Sequence, residues 1–183
     1  MSKIVAIVSS PRKQSNGKDI VAEMVKAAEA NGNEVVTYSI NDLENMKACQ
    51  ACMACKKSGK CVRKDDITPV IDAIKEADGV ILSAPDYFGQ PCAQFRILQD
   101  RFYCFIGADF ALQIPEGKKV ATVVTCGGGY DGAVAIAQAM TGTMVNFFKF
   151  ESLGEIVYSE AQNGPAKDNA DVLAKAAEIG SKF

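Results

Sequence analysis

The chain contains no histidine in its 183 residues. Without imidazole there is no Ser-His-Asp or Cys-His relay and no zinc site of the kinds that use histidine. A general acid or base must therefore be Asp, Glu, Lys, Tyr, Cys or a cofactor atom. An excess of charge is missing too: 20 basic residues stand against 22 acidic ones, a formal net charge of -2. Such a balance gives no electrostatic reason to expect nucleic acid or an anionic membrane surface as a partner. Long apolar runs are also absent. The stretch Ile4 to Val8 is too short for a signal-peptide core, and nothing approaches the length that spans a bilayer. The expectation is a soluble, cytoplasmic protein with no nucleic-acid and no membrane partner.

What is present is enough apolar material for one core. Hydrophobic residues make up 48% and charged residues 23%, and no repeat, low-complexity tract or linker divides residues 1–183. Lys3 to Ser10 (KIVAIVSS) is a β-branched run stopped by Pro11. Ile20, Val21, Met24, Val25 and Ala28 then form a stripe at helical spacing that ends at Asn31-Gly32, a C-cap signal. A second strand covers Glu34 to Ile40, and residues 41–65 follow without periodicity. The pattern resumes at Asp65-Asp66, which puts Asp in the N-cap region of a helix carrying Ile67, Val70, Ile71 and Ile74 on one face, with Pro69 in its first turn. Next come a buried strand from Gly79 to Pro85, an amphipathic segment from roughly Gln90 to Ile106, a strand from Lys118 to Cys126 and a helix from Ala133 to Val145. A strand near Ile156 to Tyr158 and a last helix with Val172, Leu173, Ala176 and Ile179 complete the chain.

Continuous apolar strands alternating with helices predict a parallel sheet covered on both faces. The fold class is α/β. The flavodoxin-like three-layer sandwich, five parallel strands in the order 2-1-3-4-5, competes with half of a dinucleotide fold. In either, ligands bind at the carboxyl ends of the strands, so the loops there carry the chemistry.

The loop after the first strand, SSPRKQSNGKDI, offers the hydroxyls of Ser9, Ser10 and Ser15, the Asn16 amide, Arg12 and the free N–H groups of a helix start, which together suit a phosphate. It lacks the glycine and the Ser or Thr of a nucleotide P-loop, so ATP and GTP are disfavoured. After the third strand, PDYFGQP sets two aromatic rings and a glycine where a planar heterocycle would lie. The loop CGGGYDG after the fourth strand formally contains a dinucleotide fingerprint, but too little chain follows it for a mononucleotide-binding half. Its glycines instead let backbone N–H groups approach a ring anchored by the first loop.

Four of the seven cysteines fall in thirteen positions, CQACMACKKSGKC, within the insertion 41–65. Cys49, Cys52 and Cys55 recur every three residues, and Cys61 returns across Ser58-Gly59, a turn signal. All four can converge from one local segment, and a two-residue rhythm is typical of iron–sulfur ligation. Zinc on four thiolates, free or redox-active thiols, and a disulfide remain alternatives. Cys104, in an aromatic helical stretch, reads as a small core residue.

Taken in this order, the three loops and the spacing C-x2-C-x2-C-x5-C resemble the flavodoxin-like NAD(P)H-dependent FMN reductases, and among them the iron-sulfur flavoproteins, over nearly the whole chain. The resemblance implies FMN, with its phosphate held by Ser10, Arg12, Ser15, Asn16 and the backbone at Gly17. Pro85, Asp86, Tyr87, Phe88 and Gly89 would border the isoalloxazine, and Thr125, Cys126, Gly127, Gly128 and Gly129 would cover its other edge. It implies a [4Fe-4S] cluster on Cys49, Cys52, Cys55 and Cys61, no catalytic side chain, NAD(P)H as a possible reductant, a ferredoxin-like electron carrier, a small-molecule acceptor and a homo-oligomer. This sequence departs from the family at Gly17, at Ala51 and at Asp86. The Asp86 carboxylate, if it faces the ring, would lower the flavin's potential. The expected activity is flavin-dependent electron transfer through a cluster. A cluster-free NAD(P)H-dependent FMN or quinone reductase and a zinc-binding interaction module are the rivals.

Overall fold

The computed structural model describes every residue from Met1 to Phe183. Five parallel strands, β1 (Lys3–Val8), β2 (Glu34–Ser39), β3 (Gly79–Tyr87), β4 (Lys119–Cys126) and β5 (Glu151–Ser159), stand in the order β2-β1-β3-β4-β5. That is the flavodoxin-like order expected from the sequence. The register pairs Ile4 with Val35, Val5 with Val80, Val80 with Val120 and Val123 with Ile156. β1, β3 and β4 are buried along almost their whole length, whereas β2 and the first half of β5, at the two edges, are largely exposed.

Helices cover both faces. α1 (Asn16–Ala30) and α5 (Ala170–Gly180) pack on one, where Ile20, Val21 and Met24 meet Ala176 and Ile179. A Cβ added at Gly180 would lie 2.8 Å from the Cα of Met24, so only glycine lets these helices approach so closely. On the other face α2 (Ile67–Glu76), α3 (Ala93–Arg101) and α4 (Tyr130–Gly142) bury Ile71, Phe95, Leu98 and Met140 with an aromatic group in which Phe102 stacks on Phe105 at 5.3 Å and Phe148 meets Phe105 edge-on at 5.8 Å.

The structure differs from the sequence reading in several places, one being α4, which runs from Tyr130 to Gly142 rather than from Ala133 to Val145 and passes into a π turn over Thr143–Phe147. Gln90 and Pro91 form a short antiparallel strand against Asp86 and Tyr87 at the end of β3, so the helix begins only at Ala93. It gives way after Arg101 to a 3-10 turn over Phe102–Phe105, which keeps the aromatic spacing that predicted one long helix. β5 is longer than its apolar centre, because edge positions need no apolar side chain. Finally, Asp66 makes no cap. Asp65 accepts the Thr68 N–H at 3.1 Å instead, and the Asp66 carboxylate accepts from the N–H groups of Glu44 (3.1 Å) and Asn45 (2.9 Å), fixing the entry to the cysteine segment. Phe148 and Phe150 are core residues, while Phe147 is exposed. No helix is long and apolar enough to cross a membrane.

Candidate cofactor sites

The first site is a cleft at the carboxyl ends of β1, β3 and β4. Ser10, Arg12, Ser15, Asn16, Pro85, Asp86, Tyr87, Thr125, Cys126 and Gly127 all line it, so the three loops singled out from the sequence do meet. The first loop is shaped by capping. Ser15, in extended conformation, accepts the Lys18 N–H at 3.3 Å and starts α1, and the Ser10 hydroxyl accepts the Arg12 N–H at 3.3 Å. Ser9 is taken by the fold: it is fully buried and donates to the Ser83 carbonyl. Gly17 also has a packing role, since a Cβ there would meet the Ser83 hydroxyl at 2.7 Å, while its backbone stands in the first turn of α1. Its role is to let the start of α1 rest on β3.

The Glu160 carboxylate, just after β5, sits among the expected phosphate-binding groups. Its Oε2 accepts from Arg12 Nη1 at 3.4 Å and from Asn16 Nδ2 at 3.3 Å, while Asn16 Oδ1 accepts the Ala166 N–H at 2.8 Å. These donors thus already gather round an anionic oxygen, which fits the phosphate of FMN. Glu160 is not legible in the sequence, because a lone glutamate after the fifth strand carries no distinctive residue pattern. Its only signal is its place at a strand's carboxyl end.

On the flavin-ring side, Asp86 Oδ1 accepts the Gly89 N–H at 2.8 Å, so the carboxylate closes the turn at the end of β3 while still lining the cleft. Phe88 (φ 56°) and Gly89 (φ 75°) are both left-handed, and Phe88 projects wholly into solvent, away from the cleft. Added Cβ atoms at Gly127, Gly128 and Gly129 would meet nothing within 4 Å, an open shelf suited to a flat ring. Burial pushes the Cys126 thiol up, and Asp86 adds to this against the opposing hydrogen bonds of Ser159 and Gly128, so it stays protonated beside the shelf.

The second site is the cysteine segment. Cys49, Cys52, Cys55 and Cys61 border one cavity together with Arg63, Arg101, Tyr103 and Cys104, and no residue lines both sites. All the cysteines are free thiols, and no three His, Cys, Asp or Glu side chains close on a single ion. Ala51 (φ 51°) and Met53 (φ 62°) alternate through the left-handed region, and the Ala51 N–H points to Cys49 Sγ at 3.4 Å. Such turns aim successive N–H groups inward and form nests for anionic clusters. Ala51, which stands where the resembled family often has glycine, has a left-handed backbone.

The segment is tied to the 3-10 turn after α3 by Lys56, whose Nζ donates to the carbonyls of Tyr103 (2.7 Å) and Ile106 (2.8 Å) and lies 3.2 Å from the Tyr103 ring centre. Behind the cavity lies a buried ion pair. Arg101 Nη1 donates to Asp65 Oδ2 at 2.7 Å and Nη2 to Oδ1 at 3.2 Å, with side chains 1% and 0% exposed. Burial alone would raise the Asp65 carboxyl, but hydrogen bonds from Arg101 and Thr68 outweigh it and hold it below the usual carboxylate range. Cys55 is pushed up by burial, and Cys104 is pushed up to about 12, again mainly by burial. Buried Arg101 Nε and Arg63 Nη1 have no hydrogen-bond partner. Four thiols, a backbone N–H on Cys49 Sγ and orphaned cationic donors on one cavity fit a negatively charged thiolate-ligated cluster. Arg101 was legible only as a charge on the apolar stripe Leu98–Arg101–Phe105, and Arg63 only as one of several basic residues in the insertion, signals easily taken for solvated surface.

A family model described as NADPH-dependent FMN reductase matches residues 2–163. An iron-sulfur flavoprotein of Methanocaldococcus jannaschii is 35% identical over 132 residues, 72% of this chain and 67% of that protein. One from Archaeoglobus fulgidus is 27% identical over 188 residues, 99% of this chain and 78% of that protein. In fold, the chain superimposes on a flavodoxin from the domain Archaea with a TM-score of 0.60 at 13% identity, over 100% of this chain and 95% of that one.

Proposed function

The chain belongs to the NADPH-dependent FMN reductase family and is a flavin-dependent oxidoreductase, and on that premise we propose that it is an electron-transfer flavoprotein holding FMN in the strand-end cleft and a [4Fe-4S] cluster on Cys49, Cys52, Cys55 and Cys61. Bound there, FMN would supply two-electron or stepwise one-electron chemistry, and the cluster one-electron exchange. The observation that carries the cluster is the lining of one cavity by all four motif cysteines beside two arginines with unpartnered buried N–H groups.

The chain's own groups divide the work. Ser10, Arg12, Ser15 and Asn16 bind and orient the phosphate end. Asp86 fixes the β3 turn and places negative charge at the ring cleft, and the glycines 127–129 leave space for the ring. Cys126, held protonated, contributes no thiolate nucleophile. The proposal includes a cytoplasmic setting, a ferredoxin-like carrier as single-electron donor, NAD(P)H as a possible reductant and a small-molecule acceptor. It also includes a homo-oligomer, to which the exposed Tyr87, Phe88 and Phe147 would bring apolar area. Anaerobic purification with iron, sulfide, zinc and flavin assayed on one sample tests it. About four irons and one FMN per chain are expected; FMN without iron would leave the cluster-free NAD(P)H-dependent reductase, and zinc without flavin an interaction module.

A further inference from the structure

An arginine has five N–H donors. In Arg101 four have acceptors: Nη1 serves Asp65 Oδ2 and the Lys47 carbonyl (2.8 Å), and Nη2 serves Asp65 Oδ1 and Thr68 Oγ1 (2.8 Å). The fifth, on Nε, is buried and has none. Asp65, Thr68 and Lys47 do not line the cysteine cavity, but Arg101 does. Arg63 repeats the pattern. Its Nε lies 3.9 Å from Asp65 Oδ2, its Nη1 is buried and unpartnered, and it lines the same cavity.

A buried N–H left without an acceptor costs roughly 1–3 kcal/mol, and a chain seldom retains two of them on cationic groups around one cavity. The acceptors lining that side are the cysteine sulfurs and the Gln50 amide, and Cys61 is the one whose side chain interacts with the Arg101 guanidinium. We propose that Arg101 and Arg63 are the built-in counter-charges of the cluster site, donating N–H hydrogen bonds to its sulfurs and raising its reduction potential. The inference rests on the cluster reading above. Asp65 acts as the positioning residue: its two oxygens grip the outer edge of the Arg101 guanidinium and leave Nε for the cavity.

The direction follows from charge. A [4Fe-4S] core with four thiolates carries a net negative charge, and adding one electron increases it by one unit. Nearby cations and donors to sulfur favour the reduced form. The compensating donors differ in what their loss leaves behind. Arg63→Gln removes a charge without leaving Asp65 unpaired, because Arg101 remains. Arg101→Lys retains a cation for Asp65 but abolishes the Nε donor.

The experiment compares wild type, Arg63→Gln and Arg101→Lys, each reconstituted anaerobically. Iron and sulfide content are measured first, and the cluster and flavin potentials then by spectroscopic redox titration. With about four irons and four sulfides per chain in all three, Arg63→Gln is expected to lower the one-electron reduction constant of the cluster about tenfold, ~59 mV. Arg101→Lys shifts it in the same direction, and the flavin potential moves less in both. Wild-type cluster potentials in both variants at full iron content overturn the proposal while leaving the cluster reading intact. Wild-type protein that takes up no iron overturns the cluster reading itself and this proposal with it. If Arg101→Lys does not fold, Arg63→Gln alone decides, since its partly exposed side chain is not the principal partner of Asp65.

Discussion

At the scale of single residues, the same side-chain chemistry has different consequences according to burial. Asp65 looked like one half of a helix-capping pair, and its neighbour looked equivalent. In the structure Asp65 is fully buried against Arg101, while Asp66 sits at the entry to the insertion. Removing one partner of such a buried pair leaves the other charge uncompensated, so Asp65→Asn should cost about 3–5 kcal/mol in denaturant unfolding at pH 7. Because the folded carboxyl is held below its unfolded value of about 3.9, its contribution is complete above roughly pH 4 and is lost as pH falls through the folded pKa. The gap between wild type and variant should therefore close in acid, and a gap of constant size down to pH 2 would contradict this origin. Asp86 poses the complementary case. Asp86→Asn keeps an acceptor for the Gly89 N–H but removes the charge from the cleft, so the flavin potential should rise, by the equivalent of about tenfold or less in the reduction constant. A potentiometric titration that shows no rise would remove Asp86 from the flavin's electrostatics.

At the scale of elements, strand ends and helix starts build the phosphate site, and the chain supplies its own anion to it. Glu160 follows directly on β5 and holds Arg12 and Asn16 through one oxygen, with both charged side chains well exposed. An exposed pair of this kind is worth ~0.2–1 kcal/mol. A bound phosphate would take over the same donors beside a like charge, so Glu160→Gln should tighten FMN binding, up to about fivefold, and leave riboflavin binding unchanged. Fluorescence titration of the apoprotein with both ligands reads this directly. Equal shifts for the two would show that Glu160 acts on something other than the phosphate. The first, third and fourth strand loops were readable as sites because their residue types are distinctive: hydroxyls and an amide with an arginine, paired aromatics, a run of glycines. Glu160 was not, because one glutamate at the end of an edge strand looks like any solvated charge.

At the scale of the whole molecule, the two faces of the sheet are closed differently. One holds the stacked phenylalanines beneath the cysteine insertion, and the other depends on the close approach of α1 and α5. Gly180→Ala would set a methyl group against the Met24 backbone, which cannot rotate away. Overpacking of this kind typically costs 1–3 kcal/mol. A matching fall in thermal or denaturant stability is expected, with the cleft residues and FMN binding little affected because the contact is at Met24, about two turns along α1 from Ser15 and Asn16, and faces α5. A variant as stable as wild type would mean that the two helices separate freely.

Taken alone, the sequence determined the alternation of strand and helix, the parallel sheet, the three ligand loops and the cysteine spacing, because each is a local pattern of polarity, backbone freedom or ligand type. It also determined what the chemistry cannot use, since histidine is wholly absent. Only the tertiary structure decided that Gly17 and Ser9 serve packing, that Phe88 points away from the cleft, that Asp86 closes a turn, and that Glu160 joins the phosphate donors. It alone brought Arg101, thirty-six positions from Asp65, into a buried pair behind the four cysteines. The reason is physical: burial and the accounting of donors against acceptors are properties of what lies around a side chain, and those neighbours come from segments far apart in the chain.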